Sequence, residues 1–506
     1  MTWWTVAQEH PERVAIIDGE RALTFGALRS VVNRIAASWD DLGVGPGDAV
    51  AAVLPNCAEL LTLELAALCT GRYFVPINRH LTSPEVAYIL GNSRPALVLT
   101  SDDLLPTVTR AAADAGVPAA DRVFSTGGGE RAFSRVWTGR ADADPQGRTA
   151  GSVLLYSSGT TGKPKGIRRT LSGLTPEQEI AGAGPLLELL RLGPGPGVHA
   201  AVAPLYHSAP NSMAVGALNR GVTVACPPGG GFDADGFLDF ATEVGMTESF
   251  MVPTMFVRLL RLPDDVRAAF DPRALRSIVH AGAPCPVHVK RQMIQWWGPV
   301  LEEFYGSTES SAVTTVHSDE WLEAPGTVGR ARAGYEIQIR DAAGTPVPAG
   351  EEGLIYSVGS QRFDYVGDPD KTRASWDDDA LLIGDVGRLD EDGRLFLLDR
   401  RTDLILSGGV NVYPAEIEAT LLEHSGVDDV AVVGLPDDEW GQRVVAVVAP
   451  AGQRDHGELI AELERFATPR LARFKRPREY RIVEAIPRMP TGKISRSAIR
   501  ESVLQE

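Results

Sequence analysis

Hydrophobic and polar positions follow two textures along the chain. Over roughly the first 330 residues, short continuous apolar runs alternate with longer stretches of helical spacing. DAVAAVLP (48–55), YFVPIN (73–78), ALVLTS (96–101) and VLLYSS (153–158) read as strands. Asn56 is placed as the cap of a helix running through Leu68, with Gly71 just past its end, and 84–90 reads as helical. The alternation resumes with HAAVAPLYH (199–207), VTVACP near 221–226, FLDFATEV (237–244), ESFMVP (248–253), RSIVHAG (276–282) and VHVKRQMIQWW (287–297). Strands apolar on both faces, separated by helices, predict a parallel sheet covered on both sides. Ligands in such doubly wound sheets bind beyond the carboxyl ends of the strands.

Past about residue 330 the spacing shortens. EIQIRD, GTPVPAGEEGLIYSV and DGRLFLLDRRTDLIL predict strands joined by tight Gly, Pro and Asp turns, a meander-like pattern. PAEIEATLLEH (414–424) then predicts an amphipathic helix, and DDVAVVGLPD and QRVVAVVAP predict strands. The expected fold class is α/β: a large N-terminal domain of doubly wound sheets plus a small β-meander or barrel, followed by a small α+β domain. The division falls at 1–399 and 400–506. Gly- and Pro-rich loops are expected at 125–133, 141–151, 193–197 and 227–231.

Charge narrows the partners. The 506 residues carry 49 Lys+Arg against 66 Asp+Glu, a net charge of −17. That balance disfavours nucleic acids and anionic membranes, while leaving room for a local basic pocket. There is no run of about 18 apolar residues, so no spanning helix is expected. The opening MTWWTVAQEHPERVAI lacks a basic stretch followed by an apolar core, which argues against a signal peptide. Cys57, Cys69, Cys226 and Cys285 lie far apart without a C-x-x-C pair. They read as packing residues in a reducing, cytoplasmic compartment rather than as zinc ligands or disulfides.

Candidate chemistry concentrates in YSSGTTGKPKG, 156–166. Three glycines, several hydroxyls and two lysines follow an apolar strand. Glycines let backbone N–H groups approach an anion, the hydroxyls add donors, and Lys163 and Lys165 add charge. The segment is not G-x-x-x-x-G-K-[ST], because two residues separate Gly159 from Gly162 and Pro164 follows Lys163. The competing reading is a Gly/Ser turn; the preceding strand and the paired lysines favour a polyphosphate grip. No H-E-x-x-H and no G-x-S-x-G elbow occurs, so hydrolase chemistry has little support.

On this segment the sequence resembles the adenylate-forming ligases, the family of acyl- and aryl-CoA synthetases, peptide-synthetase adenylation domains and firefly luciferase. Further segments match in the family's order: PLYHSAP (204–210), YGSTES (305–310), PGTVGR (325–330), IGDVGR (383–388), LDRRTD (398–403), SGGVNVYPAEIE (407–418) and PRMPTGKISR (487–496). The resemblance implies a two-step reaction. A carboxylate attacks the α-phosphorus of MgATP, giving an acyl-adenylate and pyrophosphate, and a thiol, usually that of CoA, then displaces AMP. ATP, Mg²⁺ and CoA are therefore the implied cofactors and co-substrates.

The resemblance also implies roles. Ser157, Ser158, Gly159, Thr160, Thr161, Gly162, Lys163 and Lys165 would grip the phosphates. Glu309 would bind magnesium, Thr308 would contact the α-phosphate and the incoming carboxylate, and Tyr305 would stack on adenine beside Gly306. Asp385 would accept both ribose hydroxyls, with Arg400 nearby. Lys493 would neutralise charge developing between carboxylate oxygen and α-phosphorus. In the family the small domain rotates between the half-reactions, bringing Gly408 and Gly409 of SGGVN to the pantetheine channel. The hinge position, commonly Asp or Lys, is Thr402 in this chain.

On the acid side, His207 either gates the carboxylate or packs in the core. Asn211, Ser212, His280, Gly282, Ala283 and Gly306 are expected around the acyl cavity, with Gly282 and Ala283 also facing nucleotide. No Asp lies between Leu205 and Ala214 to hold an ammonium, which argues against α-amino acids. The leading expectation is an AMP-forming acid–thiol ligase making an acyl- or aryl-CoA. Alternatives keep the adenylation step and change the partner: a carrier-protein thiol, an amine, or nitrite activated for diazotisation of an aromatic amine. A catalytically dead nucleotide-binding protein is the alternative of another class. It predicts loss of Glu309, Asp385, Arg400 and Lys493, all of which are present.

Overall fold

The computed structural model describes residues 2–157, 164–400, 403–407, 410–437, 440–488 and 494–505. The predicted site residues Ser158, Gly159, Thr160, Thr161, Gly162, Lys163, Gly408, Gly409 and Lys493, and the hinge position Thr402, lie outside this set, as does the side chain of Arg400. The chain packs into two compact units that interleave along the sequence. The first comprises residues up to Ala281 with Met293–Ala312 and Ser360–Trp376. The second comprises Gly282–Gln292, Val313–Gly359 and the chain from Asp377 onward.

In the first unit, the run AVAAV at Ala49–Val53 is buried at every position, as is YFVPI at Tyr73–Ile77. These two strands form the centre of a parallel sheet ordered Val123–Ser125, Leu97–Thr100, Ala49–Val53, Tyr73–Ile77, Ser152–Val153. A second sheet runs Leu301–Ser307, Ser277–His280, Glu248–Met251, Val198–Ala200, Thr223–Cys226, Val14–Asp18. These strands are parallel, and the antiparallel strand Arg21–Thr24 edges them. Helices such as Ala58–Leu68, buried almost all round, fill the intervening layers, as fully apolar strands require.

Three local expectations change. Asn56 does not cap the Ala58–Leu68 helix: Cys57 holds the cap position, and the carboxylate of Asp18 accepts the first helical N–H, from Ala58. The buried amide of Asn56 is spent elsewhere. Its Nδ2 donates to the carbonyls of Ala201 (2.7 Å) and Ala203 (2.9 Å), and its Oδ1 accepts the amide of Leu205 (2.9 Å). Asn56 thereby ties down the segment leading to His207. HAAVAPLYH accordingly contributes a strand only over Val198–Ala200, since those backbone groups bond to Asn56 instead of a neighbouring strand. VLLYSS is likewise two short strands, Ser152–Val153 and Leu155–Ser157, which join different sheets.

In the second unit, Glu336–Arg340, Gly353–Val358, Ala380–Leu389 and Leu395–Arg400 pair antiparallel in sequence, the predicted meander. The C-terminal part pairs Val427–Asp437 with Gly441–Pro450 and adds Ile405–Ser407, Val410–Val412 and Glu479–Ile482. Alternate positions of the two long strands face opposite ways. Val430, Val432, Val444, Ala446 and Val448 are covered by Ile417, Leu421, Leu459 and Leu463. Val433, Val445 and Val447 are covered by Ile499 and Val503. Among the described residues no helix is long and apolar enough to cross a membrane.

Candidate active site

The Gly-rich segment is framed by two antiparallel strands. Leu155–Ser157 pairs with Lys165–Arg168, Ser157 opposite Lys165 and Tyr156 opposite Gly166. A Cβ on Gly166 would stand 2.9 Å from the Tyr156 ring, so only glycine lets the strands close there. Tyr156 is anchored by its hydroxyl, which donates to Asn92 (2.7 Å). A third strand, Asp364–Tyr365, pairs with the far edge of Lys165–Arg168. Lys165 therefore begins a strand rather than a helix, unlike the strand–loop–helix arrangement of G-x-x-x-x-G-K-[ST] segments.

This small sheet holds the YGSTES turn. Ser307 and Ser310 bond reciprocally, each amide donating to the other's hydroxyl at 2.9 and 3.1 Å, which fixes the turn bearing Thr308 and Glu309. A Cβ on Gly306 would lie 1.8 Å from the Ser311 carbonyl oxygen, so the turn needs glycine. Arg169, just beyond the central strand, donates to the carbonyls of Thr308 (2.9 Å) and Glu309 (3.0 Å). From the opposite strand, the Tyr365 hydroxyl donates to Glu309 Oε1 at 2.9 Å. Burial, then the adjacent Glu309 charge, raises the Tyr365 pKa well above the usual phenol value, so it remains a donor.

Cations surround this carboxylate. Lys165 Nζ is 2.8 Å from Asp368 Oδ2 and 5.8 Å from the Tyr365 ring centroid. Asp368 also caps the short helix Pro369–Ala374, accepting the Lys371 amide. Its pKa is lowered, first by the Lys165 hydrogen bond and then by that amide. Lys371 Nζ lies 4.7 Å from the Tyr365 ring centroid, and burial followed by Lys165 repulsion lowers its pKa. Two acceptors remain uncommitted among the described residues: Glu309 Oε2 and the Thr308 hydroxyl bond to no other residue. A half-buried turn offering one carboxylate oxygen and a hydroxyl suits a hard cation that takes its remaining ligands from phosphate and water. No three-residue metal cluster occurs among the described residues.

The remaining predicted residues are distributed between the units. In the first, His207 is half-buried at the N-cap of the Ser208–Asn219 helix, its ring edge-on to Tyr206 at 4.4 Å. Asn211, one turn on, is buried and donates to Glu64 Oε2 at 2.8 Å, while Ser212 is exposed. His280 is fully buried between Phe256 (5.5 Å) and Glu303 (3.7 Å), so it packs against protein. Tyr305 is buried on the strand before the turn.

In the second unit, Gly282 is exposed with φ 87°, Ala283 half-buried. Asp385 follows Gly384 (φ 95°) at an irregularity of its strand and pairs in register with Arg400. An irregularity of this kind re-aims a side chain that a regular strand would hold perpendicular to the sheet. The strands Ile405–Ser407 and Val410–Val412 flank Gly408 and Gly409. Arg488, bonded through two nitrogens to Asp429, and Arg496, bonded to Glu418 (2.7 Å) and Asp403 (3.1 Å), flank the segment of Lys493.

Sequence reading missed Arg169, Tyr365, Asp368 and Lys371. The Asp364–Tyr365 strand is two residues long, too short for a period, and FDYVGDPDKT has turn composition. It also missed Glu64, whose one signal was a carboxylate inside the otherwise apolar run AELLTLELAAL.

Residues 3–364 match the family model described as AMP-binding enzyme, and residues 416–493 match that described as AMP-binding enzyme C-terminal domain. The chain belongs to the AMP-binding enzyme family. A long-chain-fatty-acid–CoA ligase, FadD13, of Mycobacterium tuberculosis is 30% identical over 494 residues, covering 95% of this chain and 93% of that one. A fatty acid–[acyl-carrier-protein] ligase, ScoC, of Streptomyces coeruleorubidus is 32% identical over 516 residues, covering 98% and 94%. The crystal structure of ATP-bound MatB from Rhodopseudomonas palustris superposes with a TM-score of 0.84 at 27% identity, over 99% of both chains. The family and its α/β fold thus agree with what the motifs implied.

Proposed function

We propose that the protein is an AMP-forming acid–thiol ligase: it activates a carboxylic acid with ATP through an acyl-adenylate, releases pyrophosphate, and transfers the acyl group to CoA. The observation that carries this reading is the Glu309 turn. Its carboxylate is oriented through one oxygen by Tyr365, its other oxygen is open, and Lys165 stands on the neighbouring strand. Glu309 Oε2 would hold a magnesium ion, which neutralises phosphate charge when bound. Thr308 would donate to an α-phosphate oxygen, and Lys165 would stand over the phosphate loop. Asp385 would accept the ribose hydroxyls, two donors matched to two carboxylate oxygens.

The functional division we adopt is an AMP-binding domain, 1–399, and a mobile C-terminal domain, 400–506, supported by the separate family match over 416–493. The motif assigns Lys493 to charge developing at the α-phosphorus, and Lys493→Ala should lower adenylation roughly 100-fold. Normal ATP–pyrophosphate exchange in that variant would contradict the role.

A carrier-protein thiol is the second reading, favoured by the resemblance to the Streptomyces relative named for that acceptor. Diazotisation gains no support from the relatives named above. The deciding experiment is pyrophosphate release over short, long and aromatic acids, followed by acceptor competition between CoA and a carrier protein. An acid-dependent pyrophosphate burst that persists without acceptor, then thioester only on adding CoA, is expected. Failure of every acid to elicit pyrophosphate would sink the ligase reading.

A further inference from the structure

Lys371 is a cation without an anion of its own. Among the described residues no carboxylate or carbonyl bonds to its Nζ; its described contacts are the Tyr365 ring at 4.7 Å and the Lys165 ammonium, close enough to act on it by both hydrogen bonding and repulsion. Neither neighbouring carboxylate bonds to it. Asp368 gives Oδ2 to Lys165 and Oδ1 to the backbone amide of Lys371 itself. Glu309 gives Oε1 to Tyr365. Glu309 and Asp368 attract the ammonium only from beyond contact. A half-buried ammonium beside a second one is an unfavourable arrangement unless an anion joins them.

Its position is fixed from two sides. Asp368 caps the helix that carries Lys371, and the hydroxyl of Thr372 accepts the Tyr365 amide at 2.9 Å, holding that helix against the strand. Tyr365 thus has two partners, the carboxylate through its hydroxyl and the ammonium through its ring. The same aromatic side chain links the metal-binding turn to the unpaired cation. On the adenylation reading, an anion placed there would be the β- and γ-phosphate end of the nucleotide, because Lys165 begins the strand that leaves the Gly-rich segment.

We propose that Lys371 is a further phosphate-binding residue, which with Lys165 holds the pyrophosphate portion of ATP and the released pyrophosphate but not AMP. This inference rests on the adenylation reading and deepens it. Calorimetric titration of the full chain with inorganic pyrophosphate, ATP and AMP, each in magnesium buffer without acid substrate, tests it. In Lys371→Met, pyrophosphate and ATP affinities should fall about tenfold or more. AMP affinity should stay within about twofold, and Lys371→Arg should recover most of the loss.

Wild-type affinity for pyrophosphate and ATP in the Met variant overturns the proposal, as does an equal loss for AMP, which would indicate a merely distorted site. Wild-type protein that binds none of the three ligands overturns the adenylation reading together with this one. Thermal melting of the Met variant within about a degree of wild type excludes misfolding as the cause of any loss.

Discussion

Glu64 sits in the middle of the Ala58–Leu68 helix with no exposed surface, and its one described partner is the Asn211 amide. Burial raises its pKa from 4.5 to about 8, against the opposing pull of the Asn211 hydrogen bond. The consequence for stability has a definite sign. Below pH 4.5 the carboxyl is protonated in both folded and unfolded chains. Between 4.5 and about 8 only the folded chain keeps the proton, so stability falls as pH rises through this window and levels off above it. At about 1.4 kcal/mol per pH unit, the full window is worth about 5 kcal/mol. Glu64→Gln keeps an acceptor for Asn211 and removes the titration. The variant should match wild type near pH 5 and exceed it by about 4 kcal/mol at pH 8. Asn211→Leu, which removes the only described group favouring the anion, should move the wild-type transition to higher pH. The assay is urea unfolding followed by fluorescence from about pH 5 to 9, read as the difference between variants at each pH. Parallel pH profiles for wild type and Glu64→Gln would refute the assignment of a buried neutral carboxyl.

Three further outcomes follow from other contacts. Tyr365→Phe removes the donor that orients Glu309, and the magnesium concentration giving half-maximal adenylation should rise about tenfold; an unchanged magnesium dependence would separate Tyr365 from the metal. Arg496→Met removes the cation paired with the buried Glu418 and should cost about 3 kcal/mol, seen as a lower melting temperature of the C-terminal transition. A melt indistinguishable from wild type would show the pair to be replaceable. Gly306→Ala places a methyl against the Ser311 carbonyl and should abolish adenylation while the far sheet centred on Ala49–Val53 remains folded; an active Ala variant would mean the turn can open.

The fold was legible in the sequence where burial is complete, and the candidate site was legible as motifs where its residues are clustered. Ala49–Val53 and Tyr73–Ile77 are apolar on both faces, and only a covered parallel sheet accommodates that. The YGSTES segment is compact in sequence because its two serines bond within the turn itself. Asn56 misled because an Asn before an apolar run is a valid local cap signal, yet its three polar bonds are to Ala201, Ala203 and Leu205, about 150 residues distant. Asp385 had the same difficulty in reverse. A Gly-Asp pair signals a turn, but the pair here lies within a ten-residue strand, at an irregularity where the φ of 95° at Gly384 favours glycine. Lys371 and Tyr365 carry no local signal, since their partners Lys165 and Glu309 are contributed by segments remote in sequence.

Those remote segments explain why the site needs its small three-stranded sheet. Glu309 alone on a turn would be a mobile, solvated carboxylate, and Lys165 alone a flexible ammonium. The sheet brings Asp364–Tyr365 and Lys165–Arg168 edge to edge, and Arg169 and Tyr365 then grip the Glu309 turn by its carbonyls and its side chain respectively. Orientation is set before any ligand arrives, which removes the reorganisation that binding would otherwise require. On the proposed reading the arrangement also divides labour between the carboxylate oxygens: Oε1 takes the hydrogen bond that fixes direction, and Oε2 would hold the cation. If that division holds, orientation and charge are separable. Glu309→Gln should keep the Tyr365 bond and the turn intact while losing the magnesium response, whereas Tyr365→Phe should keep the charge and lose only its aim. Identical magnesium profiles for the two variants would show that a single property of Glu309, and not two, is at work.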